Sequence, residues 1–354
     1  MNTLDTNIKR LGAALAVQAL LAVVMWQTGG RAPGQTPKPL LGFEEAAITG
    51  IEITGKPGVD GTAESVKLTK SGSDWVVASA GNYPAKKEKV DEVVKKLAAM
   101  KVKSPLATQA ANHNALRVGK ETFGKELVVT AGSETKKLVI GSGSGTSINV
   151  RLAESNDVFQ GRGLTEYQVS NTARTYVETQ YIKADTDKVT ALVVTNAKGT
   201  LTFRKEGDKW ALEQLPPGAE LDESKVTGFI GSAVRLNLDR PIGKDVKPEM
   251  GLDAGVKVQI EATDGDKPVS LAYSVGAQAG AADSDGHYVK SKDNEFVVVA
   301  TKWATESVRT KGADDFVKKP DANPTDPGGM PPGMQGMPGM PPGGMPHGFA
   351  PPEE

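Results

Sequence analysis

The sequence predicts an α+β fold, with an N-terminal transmembrane helix, two tandem homologous modules and a disordered C-terminal tail. Three observations predict it. A hairpin pattern around Trp75 recurs around Trp210, about 135 residues later. A nearly unbroken apolar run occupies residues 11–26, and a segment rich in Pro, Gly and Met begins at Pro320. Each copy is expected to be an antiparallel sheet or meander, with one main helix covering one face.

The first module opens with alternating apolar and polar residues at 48–53, which predicts a half-buried strand. Turn residues bracket two β-type runs at 66–70 and 75–78, which predicts a hairpin. Tyr83 and Pro84 are then expected to open an amphipathic helix. Its apolar face comprises Val90, Val93, Val94, Leu97 and Met100. Further strands are predicted at 127–130, 137–140, 148–150 and 157–159, with a short helical piece at 164–167.

The second module repeats this order, with a strand at 189–194 and a hairpin at 201–203 and 210–212. The apolar face of its helix comprises Val226, Phe229, Ile230, Ala233 and Val234. Residues 250–252 take the place of residues 116–118, and Gly276 takes the place of Gly141. The remaining strands are predicted at 256–260, 269–275, 287–289 and 296–299, with a final helix at 302–308. Trp75 and Trp210 are expected to pack each hairpin against its helix, with an aromatic ligand platform as the alternative.

Lys9 and Arg10 precede the N-terminal apolar run, and Trp26 ends it. As a helix this run would span about 24 Å, close to the thickness of a hydrocarbon core. We expect an uncleaved signal anchor in a bacterial inner membrane, with a cytoplasmic N-terminus and an extracytoplasmic bulk. A cleaved signal peptide and a soluble core helix are the alternatives. The predicted divisions are 1–10 (cytoplasmic N-terminus), 11–28 (transmembrane signal anchor), 29–45 (flexible stalk), 46–180 (first module), 181–318 (second module) and 319–354 (disordered tail).

Composition excludes several classes of function. The formal net charge is −1 and the lysines are spread among acidic residues, so no basic surface predicts nucleic-acid binding. The chain has no cysteine, which removes disulfides, thiol nucleophiles and cysteine-based zinc sites. Its three histidines, His113, His287 and His347, are far apart in the sequence, so a histidine-based zinc site is not expected.

No motif of catalysis stands out. Residues 141–145 are glycine-rich but lie between two strand patterns, whereas a phosphate cradle precedes a helix. Asp283, Asp285 and His287 are a weak candidate metal site, and a polar loop is the ordinary interpretation. We therefore predict a protein without catalytic residues or a cofactor.

The tail contains five methionines, at 330, 334, 337, 340 and 345, and His347. Because thioethers select Cu(I), Met330, Met334, Met337, Met340, Met345 and His347 are the candidate metal ligands. Simple expansion of a Gly-Met-Pro repeat and a partner-binding tail are the alternatives. The composition of the tail favours polyproline II character.

Several of these features together resemble an uncharacterised bacterial envelope family. They are the Trp75 hairpin, Tyr83-Pro84-Ala85 followed by Lys89-Val90, and the strands at 138–141 and 148–151. Members carry an N-terminal membrane segment and a repeated β-rich domain, and many are encoded beside subunits of gliding-motility-type ABC-2 transporters. The resemblance covers residues 48–317 and implies no catalytic residues. The long Met-Pro-Gly tail departs from the family's pattern, and a second membrane segment, which a permease would need, is missing.

The expected function is that of a membrane-anchored extracytoplasmic accessory or scaffold protein without catalytic activity. Its partners would be the membrane, through the N-terminal helix, and ABC-2-type transporter subunits or another envelope complex. Binding would use sheet edges and loops. The alternative is an extracytoplasmic protein that binds a small ligand or copper.

Overall fold

Antiparallel sheets are the main regular structure of the molecule. The computed structural model describes residues 36–319 except 60, 144, 266 and 281–284, together with residues 15, 17–19 and 23. Strand residues outnumber helical ones, at 42% against 23%. The strands form three sheets, of two, eight and nine strands.

The predicted α+β class with an N-terminal transmembrane helix is therefore wrong. The helices are few and short, and several short or irregular strands escape a search for alternating residues. Within the described residues, no helix is both long and apolar enough to cross a membrane. Most of the predicted anchor at 11–28 lies outside those residues, as does the tail from 320 to 354.

The first half of the chain builds the eight-stranded sheet and the two-stranded sheet. Its sheet order is β5-β4-β3-β2-β7-β8-β9-β10, and β6 pairs with β1 beside β10. The strands are β1 (Lys38–Pro39), β2 (Ile48–Gly55), β3 (Ser65–Ser71), β4 (Asp74–Val77), β5 (Tyr83–Pro84), β6 (Lys101–Val102), β7 (Lys125–Ala131), β8 (Glu134–Ser142), β9 (Ser147–Leu152) and β10 (Val158–Arg162).

The second half builds the nine-stranded sheet, in the order β14-β13-β12-β16-β17-β18-β19-β15-β11. From β13 to β19 this order matches β3 to β10 strand for strand. The strands are β11 (Gln180–Lys183), β12 (Val189–Asn196), β13 (Gly199–Glu206), β14 (Lys209–Leu212), β15 (Arg235–Gly243), β16 (Val256–Asp264), β17 (Lys267–Gln278), β18 (His287–Ser291) and β19 (Val297–Ala300). The domain bounds given above stay a prediction.

Within residues 36–319, as far as the structure describes them, three α-helices pack on these sheets: α1 (Lys87–Ala99), α2 (Glu223–Ala233) and α3 (Lys302–Thr310). The predicted apolar faces of the first two are confirmed, since every residue assigned to them is buried. One expectation is wrong, because Tyr83 and Pro84 form β5 and the helix begins only at Lys87. Proline is tolerated at this position because β5, in which Pro84 pairs with Val76 of β4, is the edge strand of its sheet.

A continuous apolar core extends through both halves. At their junction, the rings of Tyr83 and Phe296 meet edge to face with centroids 4.8 Å apart. Gly81 approaches Gly243 so closely that a Cβ on Gly81 would lie 2.9 Å from the Gly243 Cα. The space between the two halves is therefore packed by side chains and backbone at this point.

In each half, a loop carbonyl passes closely over a strand glycine. A Cβ on Gly141 of β8 would lie 2.2 Å from the carbonyl oxygen of Arg117, and one on Gly276 of β17 would lie 2.0 Å from that of Met250. The crossing loop has a left-handed residue at the matching place, Arg117 with φ 58° and Gly251 with φ 59°. Both strand glycines are thus required by the carbonyl that passes over them.

Replacement of Arg117 with glycine should stabilise the protein by about 1 kcal/mol, because a side chain in the left-handed region is disfavoured and glycine is not. Arg117 is exposed, so little packing is lost. Chemical denaturation of the full chain measures the change. A loss of stability would show that the Arg117 side chain makes a contact that outweighs the backbone strain.

The cap of α2 makes part of the stability depend on pH. Asp222 accepts hydrogen bonds from Ser224 and from the backbone N–H of Lys225, and these lower its pKa from 3.8 to about 2. A carboxyl group with a depressed folded pKa stabilises the fold above its unfolded pKa, and this contribution is lost as the pH falls toward about 2.

Asp222→Asn should therefore lose less stability than the wild-type protein between about pH 6 and pH 2, because asparagine caps a helix without titrating. Urea midpoints of both proteins at the two pH values make the comparison. If both proteins lost the same stability between these pH values, groups other than Asp222 would cause the acid sensitivity.

Candidate functional site

Two of the three histidines, His113 and His287, lie in the described residues. The side chain of each makes a hydrogen bond to another group of the protein. His113 is buried, and its Nε2 lies 2.9 Å from the carbonyl oxygen of Asn156. His287 is buried in the other half, with Nδ1 3.2 Å from the Thr305 hydroxyl. Burial, followed by the positive charge of Arg309, lowers the pKa of His287. The structure does not bring the two histidines together.

The other candidate ligands give no metal centre in the described residues. There, no group of three His, Asp or Glu side chains is arranged to hold a metal ion. Asp283 lies outside that part of the chain, as do Met330, Met334, Met337, Met340, Met345 and His347. Gly141 and Ser142 are the last residues of β8, which pairs with β9, so the glycine-rich sequence lies between two strands, as predicted.

Arg151 is buried but fully engaged by the backbone. Its guanidinium donates hydrogen bonds of 3.0–3.2 Å to four carbonyl oxygens, those of Val118, Leu152, Ala153 and Ser155. Burial lowers its pKa. Lys290, at the matching place in β18, likewise donates to the carbonyls of Ser291 and Asn294. Both basic residues fix the loop that follows their strand, so neither presents its charge to a ligand.

The two tryptophans differ in their surroundings. Trp75 is 1% exposed, and its indole N–H donates to Asp91 at 2.8 Å. Burial raises the pKa of Asp91, but hydrogen bonds from Lys87 and Trp75 outweigh burial and leave it below its ordinary value. Trp210 packs on the core but is only partly buried. The predicted packing role is thus complete at Trp75 and incomplete at Trp210.

This difference follows from the strand that covers β4, which has no counterpart beside β14 in the part of the chain that the structure describes. In the first half, β5 pairs with β4, and the Ala85 N–H donates to the Trp75 carbonyl at 2.9 Å. In the second half, β14 is the last strand of its sheet. Because Glu206 and Lys209 close a two-residue turn, the N–H and C=O groups of Trp210 and Leu212 point away from β13. We call residues 209–212 the open edge.

A second surface lies between α2 and α3. We call it the α2–α3 groove, and it has a volume of about 420 Å³. Its floor includes Gly228, Phe229 and Phe316, and Trp303 stands at its margin with 87% of its surface exposed. A bond between the hydroxyls of Ser232 and Ser307, 2.8 Å long, joins the two helices. A largely exposed tryptophan beside an apolar floor is typical of a binding surface.

Sequence reasoning placed a helix at the position of α3 but did not single out Trp303. The sequence shows only that Trp303 is the second residue of this helix. It does not show which face of the helix stays exposed to solvent. The open edge was also missed, because the lack of a strand equivalent to β5 among the residues described shows only when the two sheets are compared.

Comparison with known proteins gives a family but no described relative. No curated protein matches the chain, and no solved structure matches it. The model of a domain of unknown function, DUF4340, matches residues 75–255, from β4 to the residue before β16. Because this match spans more than half of the 354 residues, the chain belongs to the DUF4340 family.

Proposed function

We propose that this chain is a non-catalytic accessory or scaffold protein of the bacterial cell envelope. It acts outside the cytoplasm and binds a subunit of an ABC-type transport complex, or of another envelope complex, through the open edge. The resemblance to proteins encoded beside ABC-2 transporter subunits supports the choice of partner. The observation that carries the proposal is the difference between β4, which β5 covers, and β14, which ends its sheet.

An open edge binds an extended segment by adding a strand. The outward N–H and C=O groups of Trp210 and the outward N–H group of Leu212 supply hydrogen bonds for such a segment, whereas the Leu212 carbonyl already accepts from the Leu215 N–H at 3.2 Å. In sheets that need no partner, an edge of this kind is covered or interrupted to prevent association. In the first half, β5 covers the edge of β4. In the second half, the equivalent edge of β14 is left open.

The partly buried Trp210 adds a side chain to this edge. Trp75 is enclosed by its hairpin and by Asp91 of α1, whereas Trp210 keeps part of its surface accessible. A strand laid along β14 would cover this remaining surface, and burial of a tryptophan is among the largest single contributions to protein binding. Hydrogen bonds and apolar burial would therefore act at one place.

The absence of cysteine allows a site-specific test with a matched control. Lys209→Cys places one thiol on the open edge, and Asp74→Cys places one at the equivalent position of the covered half, which is also exposed. Each full-length variant is labelled with a photoactivatable crosslinker in intact cells. Adducts are then identified by mass spectrometry.

The proposal expects an adduct with a transport or envelope subunit from Lys209→Cys and none from Asp74→Cys. Equal adducts from both positions would contradict it, because binding would then not depend on the edge. It would also be contradicted if Lys209→Cys gave no such adduct while its melting temperature matched that of the unmodified chain.

A further inference from the structure

The described chain ends beside the α2–α3 groove. Val317 pairs with Leu221, and the Lys318 N–H donates to the Glu220 carbonyl at 2.8 Å. The Lys225 ammonium group, which lines the groove, donates to the Val317 carbonyl at 3.1 Å. These bonds fix the point from which the remaining residues leave the fold, at the N-terminal end of α2.

The residues that follow have a composition suited to a groove with an exposed tryptophan at its margin. Residues 327–352 contain no Asp, Glu, Lys or Arg and are mostly Pro, Gly and Met. Proline-rich segments favour the polyproline II conformation and dock in grooves lined by aromatic side chains. The Trp303 indole can donate a hydrogen bond to a backbone carbonyl, and methionine sulfur makes favourable contacts with aromatic rings.

The distance is short enough for this segment to reach the groove. From Asp222 at the cap of α2 to Gly228 on the groove floor, the helix rises about 9 Å. Residues 320–327 in polyproline II conformation would span about 25 Å. The groove can therefore be reached without any change in the described fold.

The shape of the floor favours a segment that lies flat. A Cβ on Gly228 would meet no atom within 4 Å, so glycine at this position leaves open space on an exposed helix face. Glycine inside a helix lowers its stability relative to alanine. Gly228 therefore leaves open space in the groove, although a larger residue at this position would cause no clash.

We propose that the α2–α3 groove binds the chain's own proline- and methionine-rich segment, residues 327–349, within the same molecule. The segment lies across Gly228 and against Trp303, and at least one of its methionine methyl groups contacts the indole ring. This inference is independent of the open edge and of any partner bound there.

Methyl NMR of the full-length chain, labelled at the methionine methyl carbons, tests the proposal with existing residues. Contact with the Trp303 ring predicts an upfield ring-current shift for at least one of Met330, Met334, Met337, Met340 and Met345. Trp303→Ala should return that signal to the random-coil position. Since Trp303 is largely exposed, this variant should keep the fold. Random-coil shifts for all five methyl groups, unchanged in Trp303→Ala, would overturn the proposal.

A pair of glycine variants controls for indirect effects. Gly228→Gln fills the groove floor and should abolish the shift. Gly231→Gln alters the same helix at a position that is also open, but one outside the groove lining, and should preserve the shift. Equal responses of the two variants would contradict docking in the groove. A shift that disappears on dilution would mean that a second copy supplies the segment, which would contradict docking within one molecule.

Discussion

Gly276→Ala is expected to lower the free energy of unfolding by about 3 kcal/mol, the upper part of the range for overpacking a tightly packed site. The added Cβ would lie 2.0 Å from the Met250 carbonyl oxygen, and the Leu252 backbone nitrogen would be 3.1 Å away. Since these atoms belong to the backbone of a buried crossing, no side-chain rotation can relieve the clash. Gly141→Ala should behave alike, because the Arg117 carbonyl crosses it in the same way.

Gly231→Ala is the matched control, because it adds the same methyl group at an open helical position. Alanine is a better helix former than glycine, so this variant should gain about 0.5–1 kcal/mol. Chemical denaturation of the three variants gives the comparison. If Gly276→Ala and Gly231→Ala changed stability by the same amount, the carbonyl crossing would not be the cause.

Phe316→Ala is expected to cost about 3–5 kcal/mol, the usual range for truncating a buried phenylalanine. Phe316 is 2% exposed and packs edge to face on two rings, with centroids 5.1 Å from that of Phe203 and 5.0 Å from that of Phe229. These contacts connect β13, α2 and the last described turn. Truncation would leave a cavity beside the rings of Phe203 and Phe229.

Trp303→Ala serves as the control for Phe316→Ala, since it also removes an aromatic side chain from this region. Its exposed position predicts a change within about 0.5 kcal/mol. Thermal and urea unfolding of both variants measure the difference. A similar, small effect of the two substitutions would show that the three phenylalanine rings do not form a tightly packed cluster.

Much of the fold was predictable wherever the pattern was regular. Strict alternation located the hairpins at Trp75 and Trp210, and helical spacing located the buried faces of α1 and α2. Both signals depend only on neighbours along the chain, and each half supplied an independent example. The glycines at 141 and 276 were paired from sequence, although the carbonyl that requires each of them could not be deduced.

Strand β15 shows why the fold class was wrong. It runs from Arg235 to Gly243 and contains Pro241, a residue that argues against a strand. In the structure, the register between β15 and β19 shifts just before Arg240 and again just after Pro241. Such irregular pairing accommodates proline. β5, β6 and β11 are too short for alternation to be visible. Without these strands the sheets looked smaller and the helices more important.

The candidate site was less predictable than the fold. The open edge depends on a strand that one half has and the other lacks, and neither hairpin sequence contains that information. Trp303 lies at the N-terminal end of α3, and its exposure depends on how α3 packs beside α2. Both features depend on how distant elements meet in the folded chain.

Amide hydrogen exchange in the full-length chain, read residue by residue, tests the open edge most directly. Val77 of β4 faces Tyr83 of β5, so its amide should be protected. The equivalent amide, that of Leu212, and the amide of Trp210 should exchange at least about 100-fold faster, because no neighbouring strand among the described residues accepts their hydrogen bonds. Protection of Trp210 and Leu212 equal to that of Val77 would show that β14 is covered, and would contradict the account.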